Sequence, residues 1–219
     1  MILANVRGRL RDQDLRLVVL ALAGGQAAAA DRYRSRAATE GPDALLDDPR
    51  LLEALLALRS LALPSPELFA YVAVRHALRG ADVDDRELAD YLAAMLLEFG
   101  DHDRHVRIGK YDDQTYRYLV DLMSDLAEQQ ANNERAFLLQ VHLGNYALWL
   151  AGLFPARVAT SLRYYDQLGR HGFQLAAEHT LAQRFGVESI YRAAADRFSA
   201  VRGAFNRLSD EVFFPKLIA

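Results

Sequence analysis

Between Arg135 and Arg157 the chain has no Asp, Glu, Lys or Arg, and "LLQVHLGNYALWLAGLFP" fills most of the interval. A helix built from such a stretch has no charged face for water, so it either crosses a bilayer or is enclosed by the rest of the protein. The uncharged run is just long enough for a span. Yet Gln140, His142 and Asn145 sit near its centre, where unsatisfied polar groups cancel the gain from the surrounding Leu and Val residues. The other segments carry charged faces suited to water. The expectation is a buried central helix over residues 134–154 and no membrane span.

At about 100° per residue, His142, Asn145, Tyr146 and Trp149 fall in one stripe, extended backwards by Leu138 and Leu139. Nearly opposite lie Gln140, Gly144, Ala147 and Ala151, small enough in the main for another helix to approach closely. The polar tips of the stripe need partners, because a buried group left unpaired costs about 1–3 kcal/mol. Two readings follow: a structural seam joining this helix to a neighbour, or the wall of a small-ligand pocket.

The remaining punctuation is that of successive helices, and no stretch alternates convincingly as a β-strand does. "DDPRLLEALLALRSLAL" predicts a helix with Asp48 as cap and Pro49 at the first position. "LPSPELFAYVAVRHALRG" predicts one capped by Ser65, with Pro66 and Glu67 in its first turn and Gly80 at its end. In "DDRELADYLAAMLLEFG", Asp84 and Glu87 have capping-box spacing and Gly100 is the terminator. "DQTYRYLVDLMSDLAEQ" reads as helical through Tyr116, and the last segment, from Val187, reads as one helix. Residues 32–48 are the least regular and read as a crossing loop with a helical turn. The sum is an all-α fold, a single domain over residues 1–219, with about seven to nine helices around the central one.

At the amino terminus, Arg7, Arg9, Arg11 and Arg16 precede "LVVLALAGG" and "QAAAAD", the outline of a signal peptide. Asp12 and Asp14 interrupt the basic region and the apolar run is short, so an amphipathic helix capped by Asp12 and ended at Gly24-Gly25 is the preferred reading. There is no cysteine, which excludes disulfides and thiolate chemistry and fits a reducing compartment. A cytoplasmic location is expected. The net charge of −3 argues against a nucleic-acid partner.

Two clusters carry residues that could do chemistry. In "EFGDHDRH", Glu98, His102 and His105 stand at i, i+4 and i+7, with Asp103 beside them. On a continuous helix they would present imidazole and carboxylate ligands for zinc, iron or manganese on one face. Gly100 would break that face, leaving a solvated loop. The segment resembles the HD-domain phosphohydrolases, an all-helical metal-binding family. The resemblance implies His102-Asp103 as the His-Asp pair, His76 as the first ligand, Asp121 or Asp125 as the last, and metal-bound water attacking a phosphoester.

The second cluster is "RYYDQLGRHGFQLAAEH", with Tyr164, Tyr165, Arg170, His171 and His179. Asp166 and Arg170 have the i, i+4 order of a helix-surface ion pair. Gly169 and Gly172 bracket Arg170-His171 and predict a kink or tight turn. Such a turn suits an anionic ligand or an ordinary helix junction.

No P-loop, dinucleotide fingerprint, HExxH or G-x-S-x-G is present. Two functional classes stay open. The first is a helical interaction or scaffold protein whose partner is another protein or a second copy of the chain; Phe213, Phe214, Leu217 and Ile218 in "EVFFPKLIA" motivate it, since they need somewhere to be buried. The second is a metal-dependent helical enzyme. No cofactor is identified by motif; a divalent metal is what the ligand sets above would take.

Overall fold

The computed structural model describes residues 2–58, 63–109, 112–129 and 133–215. Among these residues every regular element is helical. A 3-10 turn (Arg7–Arg9) leads into α1 (Asp12–Ala23), which buries Leu17, Val18 and Val19 and stops at Gly24, whose φ of 56° is left-handed. Asp12 is the first helical residue and not its cap. Asp14 instead accepts a hydrogen bond from the backbone N–H of Arg11 at 2.9 Å.

The segment expected to be irregular is mostly helix: α2 (Ala27–Glu40) and α3 (Asp43–Leu46) occupy it. The run of alanines supplies intrinsic helicity, but α2 buries only Ala29, so no apolar stripe marks it. α4 (Leu51–Leu56) starts two residues later than expected. Asp48 Oδ1 accepts from the Arg50 N–H at 3.1 Å, closing a local turn before the helix begins.

α5 (Pro66–Arg79) begins as the sequence predicts, with Ser65 Oγ accepting from the Leu68 N–H at 3.1 Å. α6 (Arg86–Gly100) is capped by Asp85, which accepts from Leu88, and not by Asp84. It ends at Gly100, and a 3-10 turn (His102–Val106) follows. α7 (Leu119–Glu128) excludes Tyr116, whose N–H donates to the Val106 carbonyl at 2.7 Å while its ring is buried. The helix expected through Tyr116 begins three residues later, at Leu119.

α8 (Glu134–Leu153) is the predicted central helix, capped by Asn133. α9 (Pro155–Val158) and a short 3-10 turn lead to α10 (Leu162–Glu178), then α11 (Thr180–Phe185) and α12 (Glu188–Asp196). α13 (Phe198–Leu208) continues into a π-helical turn, Ser209–Phe213. The carboxy-terminal segment is thus two helices, broken at Arg197 (φ −104°, ψ 15°). Several pieces are short, so the described residues hold more helical elements than the seven to nine expected.

α10, α13 and α7 pack around α8, while α5 packs on α6 and α13. α10 is continuous: Gly169 and Gly172 do not kink it. They let it touch α8. A Cβ added at Gly172 would lie 2.8 Å from the Gly144 nitrogen and 2.9 Å from the Gln140 carbonyl oxygen. Gly144 in turn leaves room for the Phe173 ring. The two helices meet backbone to backbone on the small-residue face read from the sequence.

Candidate functional site

The bulky stripe of α8 meets partners inside the core. Asn145 Oδ1 accepts from the Tyr91 hydroxyl of α6 at 2.9 Å. The Tyr146 hydroxyl donates to the Arg117 carbonyl at 2.9 Å. Trp149 packs between Phe99 and Phe154, with ring centroids 5.7 and 5.8 Å away. His142 stacks on Tyr146 at 5.9 Å and lies 5.5 Å from Phe99. Burial, and then the positive charges of Arg104 and His105, push its pKa down to about 3. It is a neutral ring, and its Nε2 has no hydrogen-bond partner. The cavity beside His142 and Asn145 measures about 10 Å³, room for one water at most.

The first histidine cluster is split as Gly100 suggested. Glu98, at the end of α6, is held by Arg104 Nη2 at 3.0 Å. Asp103 is exposed. His105 lies against Tyr146 and Trp149, centroids 6.4 and 6.3 Å away, and its Nδ1 is without a hydrogen-bond partner. Of His102 only the backbone is described. Asp121 is exposed. Asp125 receives hydrogen bonds from Tyr116, Gln129 and Arg135. His76 is on α5 and lines a different cavity. Among the described residues no three His, Asp or Glu side chains are placed to hold one metal ion.

The second cluster is spread along α10. Asp166 pairs with Arg202 of α13 at 2.8 Å instead of with Arg170, because α13 lies alongside. Arg170 donates to Ser199 Oγ at 3.3 Å, and His171 is exposed. His179 ends the helix: its Nδ1 accepts from the Leu181 N–H at 3.1 Å and its ring is 5.1 Å from Phe137. Tyr164 and Tyr165 stand at the opposite end, edge to face at 5.9 Å.

Those two tyrosines belong to a surface group that the sequence divides between segments. Burial raises the pKa of Tyr146, and the neighbouring Tyr165 and Tyr118 add to the effect. Tyr146 is close enough to Tyr165, Arg157, Tyr118 and Arg117 for their charges to act on its hydroxyl. Tyr118 is 68% exposed and Tyr164 45%. Arg117 and Arg157 are exposed as well, and Arg157 lies over the Phe154 ring at 5.1 Å. Phe213 packs against Phe69 and Phe214 against Phe154, with centroids 6.4 and 5.7 Å apart. Leu217 and Ile218 lie outside the described residues.

A further polar site was not anticipated from the sequence. Arg75, on α5, is 2% exposed. Its Nε and Nη2 donate to the two oxygens of Asp47 at 2.7 and 3.2 Å, and Nη2 also reaches Asp84. Asp47 receives Arg86 as well. Burial works to raise the Asp47 carboxyl, but the hydrogen bonds from Arg75 and Arg86 outweigh it and hold it below the ordinary value. Asp48 is buried and paired with Arg50 at 2.8 Å and Arg36 at 3.7 Å. A cleft of about 290 Å³ opens here, walled by Leu52 and Val72 and edged by Arg75, His76 and Arg79. "LPSPELFAYVAVRHALRG" predicts a helix, and nothing within it announces that Arg75 is turned inward onto Asp47, 28 positions away.

No family model matches the chain, and no curated protein and no solved structure matches it either.

Proposed function

We propose that this chain is a non-catalytic helical interaction protein that pairs with a second copy of itself through the patch around Tyr118, Tyr164 and Tyr165. The observation that carries this reading is the exposure of Tyr118 and Tyr164, with Arg117 and Arg157 exposed as well. Tyr and Arg are the residue types that most often dominate interface energetics. A two-fold contact presents each patch to its own image, and Arg on one copy then finds Tyr faces on the other. The core polar groups support the same reading, since Asn145 and Tyr146 spend their hydrogen bonds on Tyr91 and on Arg117. α8 is long and apolar enough for a bilayer, but 83% of its apolar window is enclosed by the other helices. A core role is inferred, with no membrane and no nucleic acid as partner and the cytoplasm as location.

Sedimentation velocity over a wide concentration range tests this. A reversible dimer in the parent, and a monomer in Tyr118→Ser/Tyr164→Ser with unchanged circular dichroism, supports the proposal. A monomer at every concentration, or a dimer indifferent to the double substitution, overturns it. The metal-dependent alternative rests on the His102-Asp103 resemblance and on the unpartnered ring nitrogens of His105 and His142. Its test is elemental analysis of protein purified without an affinity metal, with a melt in chelator. The small-ligand alternative beside His142 has only the 10 Å³ cavity to occupy.

A further inference from the structure

We propose that the cleft between α3–α4 and α5 is a binding site for a small organic anion, a carboxylate or phosphate carried on a compact apolar body. The argument is one of donor and acceptor supply. The carboxylates at the cleft are already spent: Asp47 on Arg75 and Arg86, Asp48 on Arg50 and Arg36. The cations are not. Nη1 of Arg75 is buried and has no acceptor, although a guanidinium offers five donors in a fixed fork. Arg79 gives one nitrogen to the Asp47 carbonyl and, with the exposed His76, leaves further donors at the rim. The site therefore lacks acceptors, which an anion brings.

The apolar wall of Leu52 and Val72 defines the other half of the ligand. A volume of about 290 Å³ is at the small end for ligand sites, so a single ring or short chain suits it better than a nucleotide. Asp84 reaches Arg75 from solvent, with 77% of its side chain exposed. An incoming anion takes over its position on Nη2, with Arg79 at the rim as the second cation it meets. This site is separate from the tyrosine patch and does not depend on the pairing proposed there.

The probes are phenyl phosphate and benzoate, with benzyl alcohol as the neutral isostere and inorganic phosphate as the anion without a body. Calorimetric titration of the full chain should give saturable binding of one or both aromatic anions, with benzyl alcohol at least tenfold weaker. Preference between phosphate and carboxylate heads identifies which source the site is built for. Arg79→Gln, at an exposed rim position, should weaken binding about tenfold or more without lowering the melting temperature. Arg75→Lys should abolish it; because Arg75 is buried and its loss also bears on folding, the Arg79 variant decides. No saturable binding of either anion, equal binding of benzyl alcohol, or full affinity in Arg79→Gln overturns the proposal.

Discussion

His142 makes stability depend on acidity through the proton it does not take up. Its folded pKa is held near 3 by burial and by Arg104 and His105, against an ordinary value of 6.5. Above pH 6.5 both folded and unfolded chains carry a neutral ring, and the residue is indifferent to pH. As pH falls below 6.5 the unfolded chain is protonated and the folded one is not, so stability is lost at up to about 1.4 kcal/mol per pH unit until the folded pKa is reached. His142→Phe removes the titration while keeping a ring on Tyr146. Urea unfolding of both proteins at a series of pH values should give a stability difference that is level near neutrality and moves in favour of the variant as the solution is acidified. A difference that stays level down to about pH 4 contradicts a neutral, enclosed His142.

Two aspartates with different partners should respond differently to loss of charge. Asp47 neutralises Arg75, which is 2% exposed. Asp47→Asn leaves that guanidinium with only the peripheral Asp84, and a loss of about 3 kcal/mol is expected. Asp90 accepts the Arg7 N–H at 2.7 Å, but burial raises its pKa because the charge itself is poorly solvated. Asp90→Asn keeps an acceptor and discards the charge, so stability should stay within about 1 kcal/mol of the parent. Denaturant midpoints for the two variants measure the contrast; equal losses would mean that pairing does not distinguish the sites.

At the scale of elements, the glycines of α10 and α13 separate helix propensity from packing. Gly203 lies within α13 and a Cβ there meets nothing within 4 Å; Gly203→Ala should stabilise by about 0.5–1 kcal/mol. Gly172→Ala gains the same propensity but sets a methyl 2.8 Å from the Gly144 nitrogen. Backbone cannot yield as a side chain can, so α10 must retreat from α8 at a net loss of about 2 kcal/mol or more. Thermal melts of the two variants moving in the same direction would remove the close approach from the account of this fold.

The same glycines show where sequence reading stops. A glycine in a helical pattern signals a terminator or a contact, and only the neighbour distinguishes them: Gly24 and Gly100 end helices, whereas Gly169 and Gly172 are contacts. Ser65-Pro66-Glu67 and the uncharged run of α8 were legible because each rule acts within a few residues. α2 was not, since it presents almost no apolar stripe. The candidate sites divide in the same way. The α8 stripe follows from periodicity alone, but its partners Tyr91 and the Arg117 carbonyl come from elsewhere in the chain. The Arg75 cleft joins residues 28 positions apart, and no local pattern announces it.

For the molecule as a whole, unequal burial implies unequal local stability. α8 is enclosed by α10, α13 and α7, and most of its residues are buried. Its amides have no route to solvent short of losing those neighbours together. α2 fully buries only Ala29, packs Ala30, Tyr33 and Ala37 partly against the core, and is otherwise tied down by polar contacts, among them the pair of the half-exposed Arg36 with Asp48 and the Arg50 bond to the Tyr33 hydroxyl at 2.7 Å. Surface ion pairs of this kind contribute about 0–1 kcal/mol each, far below a global stability of about 5–15 kcal/mol. Native-state hydrogen exchange should therefore find α2 opening by itself, with protection that barely changes in low denaturant, while α8 exchanges only through global unfolding and loses protection steeply with denaturant. The Asp47→Asn variant adds a second reading: by lowering global stability it should lower α8 protection by the full measured loss and leave α2 almost unchanged. If α2 and α8 instead exchange together in both proteins, the helix that buries one residue is as firmly held as the helix at the centre, and burial does not set the order of opening in this fold.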